Sequence, residues 1–268
     1  MISKAKVLKG FAFDLAALNK RVFTFDPGLT TLFGPNGSGK TTLIKILAAY
    51  CGTAGGWSTF VEPIYCEKGA FGARERKRIP FPKRFLCLTP EKECEAQIEW
   101  DGSPTFYSDA TSTDSKITDF GDPGDGVFGD GIEKWMAHRV ASSGQMRIGA
   151  VMRIFNQILV KPPNLLAKKD VGNSAWEKAL TEFQDYVRGL PRKGPMTVLL
   201  DEPDRSMGIP FQAQLWTEVL PVVATKFQVI VASHSPFALG VEKNTVIDLS
   251  KGGYVEECRK SLRKMKLG

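Results

Sequence analysis

Near the start of the chain, Phe11 and Phe13, then Phe23 and Phe25, alternate with other residues at the two-residue period of a strand. Leu29 to Phe33 is a short apolar-rich run, and Asp26-Pro27-Gly28 before it is a turn signal. The first 33 residues are therefore predicted as strands. Beyond a glycine-rich stretch, Gly34 to Gly39, the period changes. From Thr41 to Cys51, the residues Leu43, Ile46, Leu47 and Tyr50 fall on one helical face, and Gly52 supplies a stop.

The middle of the chain is less periodic. Arg84 to Leu88 and Ala96 to Trp100 read as strands, with Asp101-Gly102 as a hairpin turn. Ser108 to Gly131 is rich in Gly, Asp, Ser and Thr and reads as an exposed loop. Its aspartates do not follow the calcium-loop spacing D-x-[DN]-x-[DN]-G. Helical pattern covers Ile132 to Val140, Gln145 to Val160 and, after a linker at Lys161 to Lys169, Ala175 to Leu190. Thr197 to Leu200 and Phe227 to Ala232 are buried-type strands, with a helix over Gln212 to Val222 between them. Thr245 to Leu249 is a final short strand before a basic tail. Strands alternating with helices predict an α/β core with a mostly parallel sheet.

Composition narrows the classes. With 43% hydrophobic residues in 268, the chain can bury a core and is not mainly disordered. The net charge of +7 suits a polyanionic partner and equally a basic protein with none. Cys51, Cys66, Cys87, Cys94 and Cys258 form no C-x-x-C pair, and there are only two histidines, so a zinc site is not expected. Scattered cysteines fit free thiols in a reducing compartment. No apolar run reaches the ~20 residues that a membrane helix needs, and no signal peptide is seen. The expectation is a cytoplasmic protein, peripheral if it serves a membrane.

The chemistry lies in four motifs. Gly34-Pro35-Asn36-Gly37-Ser38-Gly39-Lys40-Thr41, followed by Thr42, matches the phosphate-loop pattern G-x-x-x-x-G-K-[ST]. Glycines let backbone N–H groups curl around phosphates, and the following helix turns its positive end to the same anion. Lys40 would reach the β- and γ-phosphates of ATP, and the Thr41 hydroxyl would ligate Mg²⁺. In the second motif, Thr197-Val198-Leu199-Leu200-Asp201-Glu202-Pro203, a buried strand ends in two carboxylates. Asp201 would bind Mg²⁺ through water, and Glu202 would orient or deprotonate the attacking water. Alone, such a pair can be a solvated turn. The third motif, Val231-Ala232-Ser233-His234-Ser235-Pro236, ends a strand in a histidine able to contact a γ-phosphate, although a lone strand-end histidine is usually structural. The fourth, Ala141-Ser142-Ser143-Gly144-Gln145, opens a helix and is either an anion site or an N-cap.

In this order the four motifs resemble the ABC ATPase superfamily. Ser142, Ser143, Gly144 and Gln145 are similar to its L-S-G-G-Q signature, with Ala141 for Leu and Ser143 for the first Gly. The resemblance matches Glu202 to the catalytic glutamate and His234 to the switch histidine. It implies a head-to-tail homodimer with ATP and Mg²⁺ at the interface, each phosphate loop facing the partner's signature. It also implies a single domain over 1–268. Lobe I would be 1–60 and 191–250, an inserted antiparallel strand and loop region 61–131, a signature-bearing helical lobe 132–190 and a basic tail 251–268. The segment between Ser142 and Asp201 is longer than the short helix of transporter subunits. Asp201-Glu202-Pro203-Asp204 and Ser233-His234-Ser235-Pro236 resemble the soluble AAA/ABC ATPases, which include relatives of RecF, overcoming-lysogenization-defect and anti-phage defence ATPases. The implied role is ATP hydrolysis acting on DNA or gating a separate effector protein, in DNA repair or phage defence. The alternative is the cytoplasmic ATP-binding subunit of a transporter. Long coiled-coil arms are absent, and no Q-loop is identified, Gln97 lying in a strand-like run.

Two basic clusters could meet nucleic acid: Arg74, Arg76, Lys77, Arg78, Lys83 and Arg84, interleaved by Phe81 and Phe85, and the tail with Arg259, Lys260, Arg263, Lys264 and Lys266. Each also reads as a solvated charged face, the more ordinary role of such a cluster. Phe11, Phe13 and Phe23 are candidates for stacking on adenine.

Overall fold

The computed structural model describes residues 1–51, 65–68, 74–77, 83–89, 92–109, 185–205, 207–250 and 252–265. Its strands are β1 (Ile2–Gly10), β2 (Val22–Thr24), β3 (Leu29–Phe33), β4 (Tyr65–Lys68), β5 (Arg74–Lys77), β6 (Lys83–Thr89), β7 (Lys92–Trp100), β8 (Thr105–Asp109), β9 (Thr197–Asp201), β10 (Gln228–Ser233) and β11 (Asn244–Asp248). The helices are α1 (Lys40–Tyr50), α2 (Ile209–Gln214), α3 (Leu220–Ala224) and α4 (Tyr254–Lys264).

Every residue of β3, β9 and β10 is buried. Strands covered on both faces lose the apolar–polar alternation and belong inside a parallel sheet. The five-stranded sheet has the order β11-β3-β10-β9-β8, and every pair in it is parallel. Alternate residues then divide between two cores. Leu32, Leu199 and Ile230 face one core with α1, while Phe33, Val198, Leu200, Val229 and Val231 face the other. Leu43, Ile44, Ile46, Leu47, Ala48, Ala49 and Tyr50 are all buried, so α1 is enclosed nearly all round. It lies between the parallel sheet and an antiparallel sheet of order β2-β1-β7-β6. On the far side, Trp216, Leu220 and Val223 of the helical segment 209–224 close the second core.

Two features join the layers. Gln228 is fully buried at the start of β10: its Nε2 donates to Ile2 O at 2.7 Å, and its Oε1 accepts Ile2 N–H at 2.9 Å and the Thr197 hydroxyl at 2.8 Å. Its amide thus pairs with the backbone of β1 as another strand would. Asp101 accepts Ser103 N–H at 2.8 Å and Gly194 N–H at 2.6 Å, pinning the passage from one sheet to the other.

Several expectations change. Phe11–Phe13 is a 3₁₀ turn rather than strand, because Gly10 (φ 88°) ends β1 and redirects the chain. Asp101-Gly102 is not a hairpin turn: β7 pairs with β1 and β6, while β8 enters the parallel sheet beside β9. Thr105–Asp109 is a strand, overlapping the start of the expected loop Ser108 to Gly131. Among the described residues of the expected inserted region 61–131, β6 and β7 join β1, β8 joins β9, and β4 and β5 pair as a two-stranded antiparallel sheet. The expected helix Gln212 to Val222 extends over Ile209–Ala224 through a π-helical turn at Leu215–Val219. The basic tail is in part helical. It contains α4, whose Tyr254, Val255 and Cys258 lean on the second core, with Glu256 and Glu257 in its first turn and Arg263 and Lys264 in its last, as the helix dipole favours. The helices expected at Ile132 to Val140 and Gln145 to Val160, the linker, and most of that at Ala175 to Leu190 lie outside the described residues.

Gln228→Leu keeps the volume and leaves the Ile2 backbone and the Thr197 hydroxyl without that partner. Denaturant unfolding is expected to show a loss of about 2–4 kcal/mol. A loss below about 1 kcal/mol would mean that packing rather than the amide joins the layers.

Candidate active site

The register across β3, β10 and β9 builds the site. Phe33 lies opposite Ser233, and Ala232 lies opposite Asp201. Gly34, His234 and Glu202 each follow directly on these positions, so three motifs far apart in sequence leave neighbouring strand ends together. The carboxyl edge of a parallel sheet is where such folds open their ligand crevice.

The loop 34–39 needs its glycines for separate reasons. A Cβ on Gly34 would come within 2.9 Å of Ser38 Oγ and 3.0 Å of Leu249 O. Gly37 (φ 76°) and Gly39 (φ 95°) take left-handed conformations that L side chains resist. Gly39 is the N-cap of α1, so the loop delivers the chain to a helix N-terminus whose free N–H groups suit an anion. Ser38 Oγ is buried with no protein partner. A buried orphan hydroxyl beside free N–H groups fits a phosphate oxygen.

Lys40 is only 5% exposed and folds back on the loop, its Nζ donating to Gly34 O at 2.8 Å and Pro35 O at 2.9 Å. Burial lowers its pKa from the ordinary lysine value, and the nearby carboxylates of Glu202 and Asp201 partly oppose that. Thr41 Oγ1 donates to Asp201 Oδ1 at 3.0 Å. A hydroxyl and a carboxylate in contact beside a phosphate cradle are the oxygen donors a Mg²⁺ ion takes, with water and phosphate completing its shell. These residues fit Mg-ATP. Thr42 follows in the first turn of α1.

Glu202 has φ 49°, uncommon for a residue with a Cβ and costly by ~1–2 kcal/mol. Its N–H donates to Ala232 O at 2.8 Å, and its carbonyl accepts Arg205 N–H at 3.1 Å, which hold the turn. Its carboxylate approaches His234 Nδ1 and an Arg205 guanidinium nitrogen, each at 3.6 Å. Strain at a carboxylate aimed toward a histidine is a functional-site signal when it is observed rather than assumed.

The structure thus brings together Gly34, Pro35, Asn36, Gly37, Ser38, Gly39, Lys40, Thr41, Thr42, Asp201, Glu202 and His234. Ser142, Ser143, Gly144 and Gln145 lie outside the described residues. Phe23 is buried with the Arg21 guanidinium 5.0 Å from its ring centroid, which removes it as an adenine platform. Phe11 and Phe13 are partly buried in the 3₁₀ turn. Gln97 lies within β7, paired in register with Lys6 and Lys83. Of the first basic cluster, Arg74, Arg76 and Lys77 form β5, and Lys83 and Arg84 begin β6. Among the described residues, no three His, Cys, Asp or Glu side chains group as a metal cluster, and no helix is long and apolar enough to cross a membrane. Asp204, Trp216 and Ser233 carry a buried hydrogen-bonded network behind His234 that sequence reading did not find. The faint signal for it was a third acidic residue three positions after Asp201.

An all-parallel sheet bearing a phosphate loop between β3 and α1, with a carboxylate pair at the end of β9, is a P-loop arrangement of the kind that cradles nucleotide phosphates. The family model of the AAA domain matches residues 9–58, which hold the end of β1, the phosphate loop and α1. Among solved structures, the SMC head domain from Thermotoga maritima is 13% identical with a TM-score of 0.40, covering 92% of this chain and 94% of that one. An ATP-binding cassette of an ABC transporter in its ADP conformation is 14% identical with a TM-score of 0.38, covering 99% and 96%. A nucleotide-free cassette from an ABC transporter is 13% identical with a TM-score of 0.36, covering 98% and 96%. These are distant likenesses. No curated protein matches the chain.

Burial lowers the Lys40 pKa and the Glu202 and Asp201 carboxylates partly oppose it, so both bear on the pH at which anion binding fails. The association constant of a fluorescent ATP analogue is expected to stay level near neutrality and to fall with rising pH below the ordinary lysine pKa of about 10.4. In Glu202→Gln the fall should begin at lower pH. An unmoved curve would show that Glu202 does not act on Lys40.

Proposed function

We propose that this chain is a cytoplasmic Mg-ATP-dependent ATPase that works as a head-to-tail dimer. The observation that carries the reading is the meeting of the Thr41–Asp201 pair, at 3.0 Å, with the Glu202–His234 pair, at 3.6 Å, at adjoining strand ends. One pair suits the cation and the other the attacking water.

In this reading the phosphate loop N–H groups and the Ser38 hydroxyl hold the β- and γ-phosphates of ATP. Lys40 exchanges the carbonyls of Gly34 and Pro35 for phosphate oxygens. Bound Mg²⁺ supplies charge neutralisation on the phosphate oxygens. Glu202 orients a water in line with the γ-phosphorus and takes its proton as the bond to the β–γ bridging oxygen breaks, giving ADP and phosphate. His234 holds Glu202 and the γ-phosphate in register. Ser142–Gln145 of the second chain closes the site. Hydrolysis then loosens the dimer, and that movement is the output.

The output acts on DNA or gates a separate effector, in DNA repair or phage defence. The basic residues Arg74, Arg76, Lys77, Arg78, Lys83 and Arg84 are the proposed contact with nucleic acid. Support comes from the resemblance of the Asp201–Asp204 and Ser233–Pro236 motifs to soluble AAA/ABC ATPases, and from the charge of +7.

Glu202→Gln removes the proton acceptor and keeps the shape. ATP turnover is expected to fall by about 10²-fold or more, with nucleotide affinity retained. Light scattering should show this variant as a dimer in Mg-ATP and a monomer without it. Double-stranded DNA should raise wild-type turnover in a salt-sensitive way. A monomer that ignores ATP sinks the self-completing site, and turnover indifferent to DNA removes the nucleic-acid reading.

A further inference from the structure

Asp204 is 5% exposed and lies just past the strained turn at Glu202. Its Oδ2 accepts two hydrogen bonds, from Trp216 Nε1–H at 2.8 Å and from the Ser233 hydroxyl at 2.8 Å. Burying a carboxylate is costly unless such donors meet it. An apolar side chain would fill the same space more cheaply, so the location of the acceptor calls for a reason.

The reason lies in what the donors carry. Ser233 ends β10 and immediately precedes His234. Its Oγ also accepts Ser235 N–H at 2.9 Å, so one hydroxyl grips the backbone on both sides of the histidine. Ser235 Oγ then donates to Gln212 Oε1 at 3.2 Å, and Gln212 Nε2 donates to Met207 O at 2.9 Å. Together with Glu202 N–H to Ala232 O, these bonds stitch segment 202–207 to segment 232–235. Trp216, the other donor, is fully buried in the π-helical turn between α2 and α3. Such turns are uncommon and cluster at functional sites.

We infer that Asp204 is a positioning residue for hydrolysis: it fixes the backbone around His234 so that the imidazole stays within reach of Glu202, and through Trp216 it ties that geometry to the helical segment 209–224. The inference rests on the ATPase reading and goes beyond it, since the side-chain partners of Asp204 are Trp216 and Ser233 rather than the residues proposed to hold phosphate or cation. A shift of that helical segment relative to the sheet would pull on Trp216, then Asp204, then the histidine.

The test is steady-state ATP turnover by Asp204→Leu, Asp204→Asn and Ser233→Ala, each also in a His234→Ala background, with thermal melts to establish folding. Asp204→Leu removes the acceptor and is expected to lower kcat at least about tenfold with KM within about twofold. Asp204→Asn keeps an oxygen that can accept both donors and should recover most of kcat. In the His234→Ala background, Asp204→Leu and Ser233→Ala should add less than about a twofold further loss, because their effect passes through the histidine. A purely structural role would lower the melting temperature, raise KM and cost the same factor in both backgrounds, and that result overturns the inference, as does wild-type kcat in Asp204→Leu. If Asp204→Leu does not fold, Ser233→Ala removes one arm of the same network and carries the same comparison. Wild-type protein without turnover would instead reject the ATPase reading, which separates the two failures.

Discussion

The parallel register of β10 between β3 and β9 is the constraint on which the rest depends. It sets Phe33 beside Ser233 and Asp201 beside Ala232, so the phosphate loop, the carboxylate pair and the histidine emerge side by side. Because side chains alternate across a strand, slipping one strand by one residue would also send its apolar residues to the wrong core. Leu199 would turn from the α1 side to the Trp216 side. Packing on both faces therefore protects the geometry of the site. The Thr31 hydroxyl adds to this by donating to Asn244 Oδ1 at 3.0 Å, tying β3 to its outer neighbour β11.

Some of the local strain lies where the chemistry is. Gly37, Gly39 and Glu202 all have positive φ and all lie at the carboxyl edge of the sheet. The first two are inexpensive because glycine has no Cβ. Glu202 is not, and its turn is held by backbone bonds to a neighbouring strand and to Arg205. The stable part of the molecule thus holds a short unfavourable one in place. Lys40 shows the same economy: its ammonium donates to two loop carbonyls, which keeps a buried cation from standing unpaired.

The two layers flanking the parallel sheet have different parts. The antiparallel sheet and α1 form a closed support through a continuous core that includes Ile2, Phe23, Leu47, Tyr50, Ile98 and Trp100. The opposite layer is reached by polar as well as apolar contacts. Its helical segment leaves Ile209 71% and Val222 65% exposed while Trp216 is wholly buried. A segment anchored by Leu215, Trp216, Leu220 and Val223 on one side and open to solvent on the other is suited to receive a force from outside and transmit it to the strand ends.

Much of this was legible in the sequence where local rules suffice. The phosphate loop is written contiguously from Gly34 to Thr41, and its glycines follow from backbone geometry alone. The buried strands Thr197–Asp201 and Gln228–Ser233 announce themselves by unbroken apolar runs ending in polar residues. What the sequence could not fix was any decision that depends on a partner far along the chain. Phe11 and Phe13 alternate like a strand yet sit in a 3₁₀ turn, because Gly10 redirects the chain into the core. Asp101-Gly102 has hairpin chemistry but joins two different sheets, because β7 finds its partner in β1 and β8 finds its partner in β9. Gln228, Asp204 and Trp216 look unremarkable in one dimension, since their meaning lies in acceptors and donors brought to them by folding. Sequence by itself determined the chemistry available, because phosphate binding uses consecutive backbone N–H groups. Tertiary structure brought the distant carboxylates and histidine to that loop and alone decided that Asp204 and Trp216 stand behind them, because strand register and core packing are set by contacts between residues that no local pattern relates.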